Sequence, residues 1–168
     1  MVYIVMGPID SGKTRAMEKI FKEKGCGDGF ISKKVFHEEG ELMGYEIVHL
    51  KTGRRMPLAY KTHFILSNWD EIFSIGPFSF SQKAVHFAEE IIDETCSTNN
   101  GPVFIDEIGP LELNGKGFCD ILEKVLKTGM EIYISVRSHL VDAVVARFEI
   151  RDYTLLKIGS ATPKTFIN

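Results

Sequence analysis

Val2-Tyr3-Ile4-Val5-Met6-Gly7-Pro8-Ile9-Asp10-Ser11-Gly12-Lys13-Thr14 is the stretch on which the reading of the fold turns. Val2 to Met6 is an almost unbroken apolar run, the pattern of a strand buried on both faces of a parallel sheet. Gly7 to Thr14 then matches G-x-x-x-x-G-K-[ST] at every fixed position. Beyond Lys13 the apolar residues Ala16, Met17, Ile20 and Phe21 recur at helical spacing as far as Lys24, and Gly25 marks a stop. The expected opening unit is strand, phosphate loop, helix.

That order has a chemical consequence. Gly7, Pro8, Ile9, Asp10, Ser11, Gly12, Lys13 and Thr14 are expected to wrap the phosphates of a nucleotide, with backbone N–H groups turned inward and the helix N-terminus aimed at the same anion. Lys13 is expected to reach the β- and γ-phosphates. The Thr14 hydroxyl is expected on Mg²⁺, which prefers oxygen ligands and the phosphates of its substrate. A chance match to the pattern occurs in roughly one chain of this length per hundred, and the flanking strand and helix make chance rarer still. Asp10 is an odd occupant of an anion cradle, because an inward carboxylate would repel phosphate, so it is expected to face outward.

Outward from the loop, the pattern between Gly29 and Tyr60 turns to β, with Gly40, Gly44 and Lys51-Thr52-Gly53-Arg54 at the turns. A meander of short antiparallel strands is expected there, inserted in an α/β alternation. Thr62 to Pro77 reads as irregular, and Ser81 opens a helix that runs to Cys96 and ends at Thr98-Asn99-Asn100-Gly101-Pro102. Then follow a strand at Val103-Phe104-Ile105, a helix at 118–127, a strand at 132–136, a helix at 140–148 and a strand at 153–158. The fold class is α/β: a P-loop fold of the RecA-like sort, with a mostly parallel sheet, helices on both faces and an antiparallel β insertion over about 29–60. With no repeat, linker or low-complexity segment, residues 1–168 read as one domain.

A second acidic motif stands at Val103-Phe104-Ile105-Asp106-Glu107, a carboxylate pair at the end of a buried strand. Doubly wound sheets open their ligand crevice at such ends. Acids at a strand end are more often only solvated; the phosphate loop in the same chain reverses that balance. Asp106 is expected to hold Mg²⁺ through water, and Glu107 to polarise the attacking water. Adjacent residues on a strand point to opposite faces, so both can serve one site only if the strand ends or turns there, as Gly109-Pro110 allows. Glu112 is a further candidate, with a solvated or capping role as the alternative. A cation beside the γ-phosphate is sought in Arg137 first, then Arg147 or Arg151, though a solvated surface arginine is the slightly commoner case for each. Trp69, Phe78 and Phe80 read as stacking groups or, more commonly, core; His63 and His86 read as structural.

Apolar residues make up 44% of the 168 and charged residues 26%, an ordinary globular balance. The net charge of −3 supplies no field for gathering a nucleic-acid backbone. No apolar run approaches a membrane span and the N-terminal run lacks signal-peptide features, so a cytoplasmic protein is expected, and it is read as a monomer. Cys26, Cys96 and Cys119 show none of the paired zinc or redox spacings and read as free thiols.

Together the two motifs, and above all Ile105-Asp106-Glu107-Ile108-Gly109-Pro110-Leu111-Glu112-Leu113, resemble the thermophile-type, cancer-related nucleoside-triphosphatase family of small P-loop proteins. Gly29-Phe30, Gly44-Tyr45 with Ile47 and Leu50, Leu58-Ala59 and Gly76-Pro77-Phe78 extend the resemblance from Val2 to about Ile158. It implies Mg²⁺-dependent hydrolysis of ATP, GTP, CTP and UTP to diphosphates with little base preference. The chain departs from the family pattern at Ile31-Ser32-Lys33-Lys34, where a Thr and an acid are usual, and at Thr162-Pro163-Lys164, where an Asn-Arg element is usual. Two other functions use the same loop: a phosphotransferase, which needs an acceptor pocket and a lid, and a nucleotide-dependent switch, for which no Asn-Lys-x-Asp element is present.

Overall fold

The Val2–Gly7 run forms β1, and Lys13–Lys24 forms α1 behind the phosphate loop. The computed structural model describes residues 1–65, 67–99, 101–159 and 165–167, the last as a backbone strand only; Asn100 of the expected helix stop and Thr162-Pro163-Lys164 lie outside the described residues. The meander follows as β2 (Asp28–Phe36), β3 (Leu42–His49) and β4 (Arg55–Lys61).

Thr62–Pro77, read from sequence as irregular, contains a strand. β5 (Glu71–Ile75) and β6 (Phe78–Ser81) pair antiparallel across Gly76-Pro77. β5 lies at the sheet edge and is largely solvated on both faces, so it lacks the alternation that announces a half-buried strand. α2 (Gln82–Thr98) starts where expected, with the Ser81 hydroxyl accepting from the Ala84 N–H. The remainder is β7 (Val103–Ile108), α3 (Pro110–Leu113), α4 (Cys119–Leu126), β8 (Ile132–Arg137), α5 (Val141–Arg147), β9 (Tyr153–Lys157) and β10 (Thr165–Ile167). The four-residue α3 is too short to show a helical period in sequence.

All described strands join one sheet in the order β10-β9-β1-β8-β7-β2-β3-β4-β6-β5. Pairing is parallel from β9 through β1, β8 and β7 to β2, and antiparallel outside that block. One strand, β8, separates the phosphate-loop strand β1 from the acidic strand β7. β2 belongs to both halves: Asp28–Phe30 pair parallel with Val103–Ile105, and the rest of the strand carries the meander.

Burial explains the unbroken apolar runs. Val5, Ile31, Phe104 and Tyr133 pack with Met17 of α1 on one face of the sheet. Their neighbours Ile4, Phe30, Ile105 and Ile134 point the other way, onto the face covered by α2, α4 and α5. Each fully buried Ile or Phe contributes about 1.5–3 kcal/mol relative to exposure. Phe78 and Phe80 pack against this second core. Trp69, half-buried, lies beside Tyr60 and donates its indole N–H to the Ser79 hydroxyl at 2.8 Å. Among the described residues no helix is long and apolar enough to cross a membrane.

Candidate nucleotide site

β1 delivers the phosphate loop at the C-terminal edge of the parallel block. Gly12 adopts φ 90°, a left-handed conformation that costs glycine little, and from it the chain enters α1. The first N–H groups of any α-helix lack an intrahelical partner. At α2 a hydroxyl caps them, but α1 has no side-chain cap and no acid in its first turn. Among the described residues no side chain caps its first N–H groups, which can therefore take an anion. Lys13, almost fully buried, lays its ammonium across the loop and donates to the Pro8 carbonyl at 2.7 Å. The Ser11 hydroxyl is buried with no hydrogen-bond partner among the described residues, inside the same loop.

Asp10 turns outward as expected. Its carboxylate pairs with Lys34 of β2 at 2.7 Å, and that hydrogen bond holds its pKa below the usual carboxylate value.

Asp106 is wholly buried at the end of β7 and saturated with donors. Oδ2 accepts from the Thr14 hydroxyl at 2.7 Å and from the Ser32 N–H at 3.1 Å; Oδ1 accepts from the Ser135 hydroxyl at 2.5 Å. Burial pushes its pKa up, and the hydrogen bonds from Ser135, Thr14 and Ser32 oppose that shift.

The conflict between two adjacent acids is resolved by a bulge. The β7–β8 register breaks between Ile105 and Ile108, and Glu107 takes φ 64°, a conformation rare for a residue with a side chain. Asp106 stays buried under the loop, and Glu107 turns to line the cleft with Lys13, Thr14, Ser32 and Tyr45, a hollow of about 520 Å³. Withdrawal from solvent raises the Glu107 pKa, as does the Asp106 charge; Lys13 and Arg137 pull it back.

Ser135 is the residue that sequence reasoning missed. Its hydroxyl donates to Asp106 and accepts the Glu107 N–H at 3.0 Å, so one side chain from β8 holds both acids. The signal was a lone polar residue inside the apolar run Ile132-Tyr133-Ile134-Ser135-Val136. The Ser32 contact uses a backbone N–H, which no residue-type pattern reveals. Glu112 takes the capping alternative: nearly fully buried, it accepts from the N–H groups of Gly109 at 2.9 Å and Phe118 at 3.0 Å.

Of the three arginines, Arg137 is the one at this edge. It stands in register with Gly7, and its charge acts on both Asp10 and Glu107. Arg147 pairs with Glu123 at 3.0 Å, and both it and Arg151 line a hollow with Met1 and Val2 at the opposite end of the sheet. His63 and His86 are exposed, each beside a glutamate.

A parallel sheet carrying a glycine-lysine-threonine loop into an uncapped helix, and an acidic bulge one strand away, defines a P-loop NTPase. The comparisons narrow the class. A family model described as NTPase (NTPase_1) matches residues 2–162, and the chain belongs to that family. It is similar to the nucleoside-triphosphatase THEP1 of Natranaerobius thermophilus, 26% identical over 81% of this chain and 76% of that one. The THEP1 proteins of Pyrobaculum aerophilum (29%, covering 78% and 70%) and Archaeoglobus fulgidus (26%, covering 89% and 87%) are similar too. The solution structure of a human cancer-related nucleoside triphosphatase superposes with a TM-score of 0.66 at 19% identity, over 95% of this chain and 89% of that one, which shows a shared fold.

Proposed function

We propose that this NTPase hydrolyses nucleoside triphosphates to diphosphates and phosphate with the help of Mg²⁺ and with little preference among ATP, GTP, CTP and UTP. The observation that carries the reading is the β7 bulge, which leaves Asp106 bonded to Thr14 while Glu107 faces the cleft. The similar THEP1 proteins are named nucleoside-triphosphatases with no one base specified, in keeping with a broad range.

The donor set suits the ion. The Thr14 hydroxyl and the Asp106 carboxylate supply only oxygen, and among the described residues no cluster of three or more His, Cys, Asp or Glu forms an all-protein cage. Mg²⁺ favours a site of one or two protein oxygens, phosphate and water. Thr14 and Asp106 would hold it, and when bound it neutralises charge on the β- and γ-phosphate oxygens.

The chain's own residues do the rest. The loop and the α1 N-terminus bind the phosphates, and Lys13 neutralises them. Glu107 accepts a proton from water: the bulge turns its carboxylate into the cleft, where water reaches it. Arg137 lends positive charge as the γ-phosphoryl group transfers. Ser135 keeps Glu107 and Asp106 in their separate orientations.

The test is phosphate release from each of the four triphosphates with Mg²⁺, with chelator, and in the variants Lys13→Ala and Glu107→Gln. Release from all four that is lost under chelator and in both variants is expected. Binding of nucleotide with no release by the wild-type protein would sink the hydrolase reading.

A further inference from the structure

We propose that Lys34 is a second phosphate-contacting cation of the cleft, which takes the γ-phosphate of a bound triphosphate while Asp10 holds it in place; the proposal rests on the nucleotide site described above. Lys34 belongs to neither the loop nor the acidic strand. It is brought there by β2, whose Ser32 N–H is bonded to Asp106, so the strand passes the site at a fixed distance. Two residues on, the Lys34 ammonium meets Asp10 of the phosphate loop at 2.7 Å and lines the same cleft as Lys13, Thr14 and Glu107.

Several features point beyond a surface ion pair. Asp10 sits at φ 58° in the loop, a conformation uncommon for aspartate, and its side chain leads away from the cradle toward Lys34. The neighbouring Lys33 is engaged elsewhere, with Glu18 of α1 at 2.8 Å, so Lys34 is the lysine of the pair that reaches the loop. Glu107 lines the cleft and Asp106 lies beneath it, so a site built for a polyanion also carries negative charge. Lys13 is bonded to the inside of the loop and Arg137 stands at the end of β8 in register with Gly7; on the β2 side Lys33 and Lys34 both line the cleft, Lys33 paired with Glu18 and Lys34 with Asp10 of the loop itself. An exposed ion pair adds little to stability, which leaves the position of Lys34 without a structural reward of its own. An ammonium carries three donors, enough to keep Asp10 and take a phosphate oxygen together.

The proposal separates a direct contact from a merely neutralising one. Calorimetric titration with a non-hydrolysable ATP analogue and with ADP is run, with Mg²⁺, on the wild type, Lys34→Ala, Asp10→Asn and the double variant. Melting curves confirm folding, which removal of an exposed lysine leaves intact. Lys34→Ala is expected to weaken the triphosphate analogue roughly ten- to hundredfold, with ADP affinity changed less than about threefold. The double variant is expected to remain as weak as Lys34→Ala. Recovery of analogue affinity in the double variant would show that Lys34 acts only by cancelling Asp10, and would overturn the proposal, as would equal losses for analogue and ADP. These are binding readouts, so they stand whether or not the wild type hydrolyses.

Discussion

The two halves of the sheet share one hydrogen-bonded ladder and differ in almost everything else. In the parallel half, β9, β1, β8, β7 and β2, strands such as Ile132–Val136 are covered on both faces, and their C-terminal ends carry Gly7, Asp106, Ser135 and Arg137. In the antiparallel half, β3, β4, β6 and β5, burial thins toward the edge, where Ile72 and Ile75 of β5 are each 47% exposed. The difference teaches where precision resides. A strand packed on both faces cannot shift without disturbing two cores, so the groups at its end are held firmly in place. The outer strands bear no such constraint, and what they add to the site comes through β2, which spans both halves, and through Tyr45 of the adjoining β3.

That contrast can be broken by experiment, and the largest effects belong to the parallel half. Glu107→Gln is expected to lower kcat for phosphate release about 10²–10⁴-fold with nucleotide binding retained, measured by steady-state release and by titration. Lys13→Ala is expected to cost about 10²–10³-fold, with affinity falling too, because the ammonium contacts substrate as well as transition state. Ile134→Ala removes a fully buried side chain from β8 and is expected to cost about 2–5 kcal/mol in denaturant unfolding. Ser135→Ala strips Asp106 and the Glu107 N–H of a shared partner in a buried setting. A loss of about 1–3 kcal/mol in stability is expected, together with a fall in kcat larger than any change in KM. The smallest effect should be Ile72→Ala on the β5 edge, within about 0.5 kcal/mol of wild type. A cost there equal to that of Ile134→Ala would abolish the distinction between the halves.

Legibility followed the same division. The P-loop match and the strand-end acids are local patterns with fixed spacing, and the outward course of Asp10 followed from its charge alone. The edge strand Glu71–Ile75 escaped because a strand wetted on both faces has no apolar period to read. Ser135 left only a faint trace, one hydroxyl in an apolar run. Ser32 left none, since its contact is made by the backbone.

The sequence by itself determined that a strand, a phosphate loop and a helix open the chain, that an acidic pair ends a later buried strand, and that helices cover a mixed sheet. Each of these depends on residue type and periodicity over short spans. Only the tertiary structure decided that β8 lies between β1 and β7, and so that Ser135 reaches both acids while Arg137, rather than Arg147 or Arg151, stands beside Gly7. It decided equally that a break in register at Glu107 turns one of two adjacent carboxylates into the cleft. Strand order and register are set by packing among segments far apart in the chain, and no local pattern encodes them.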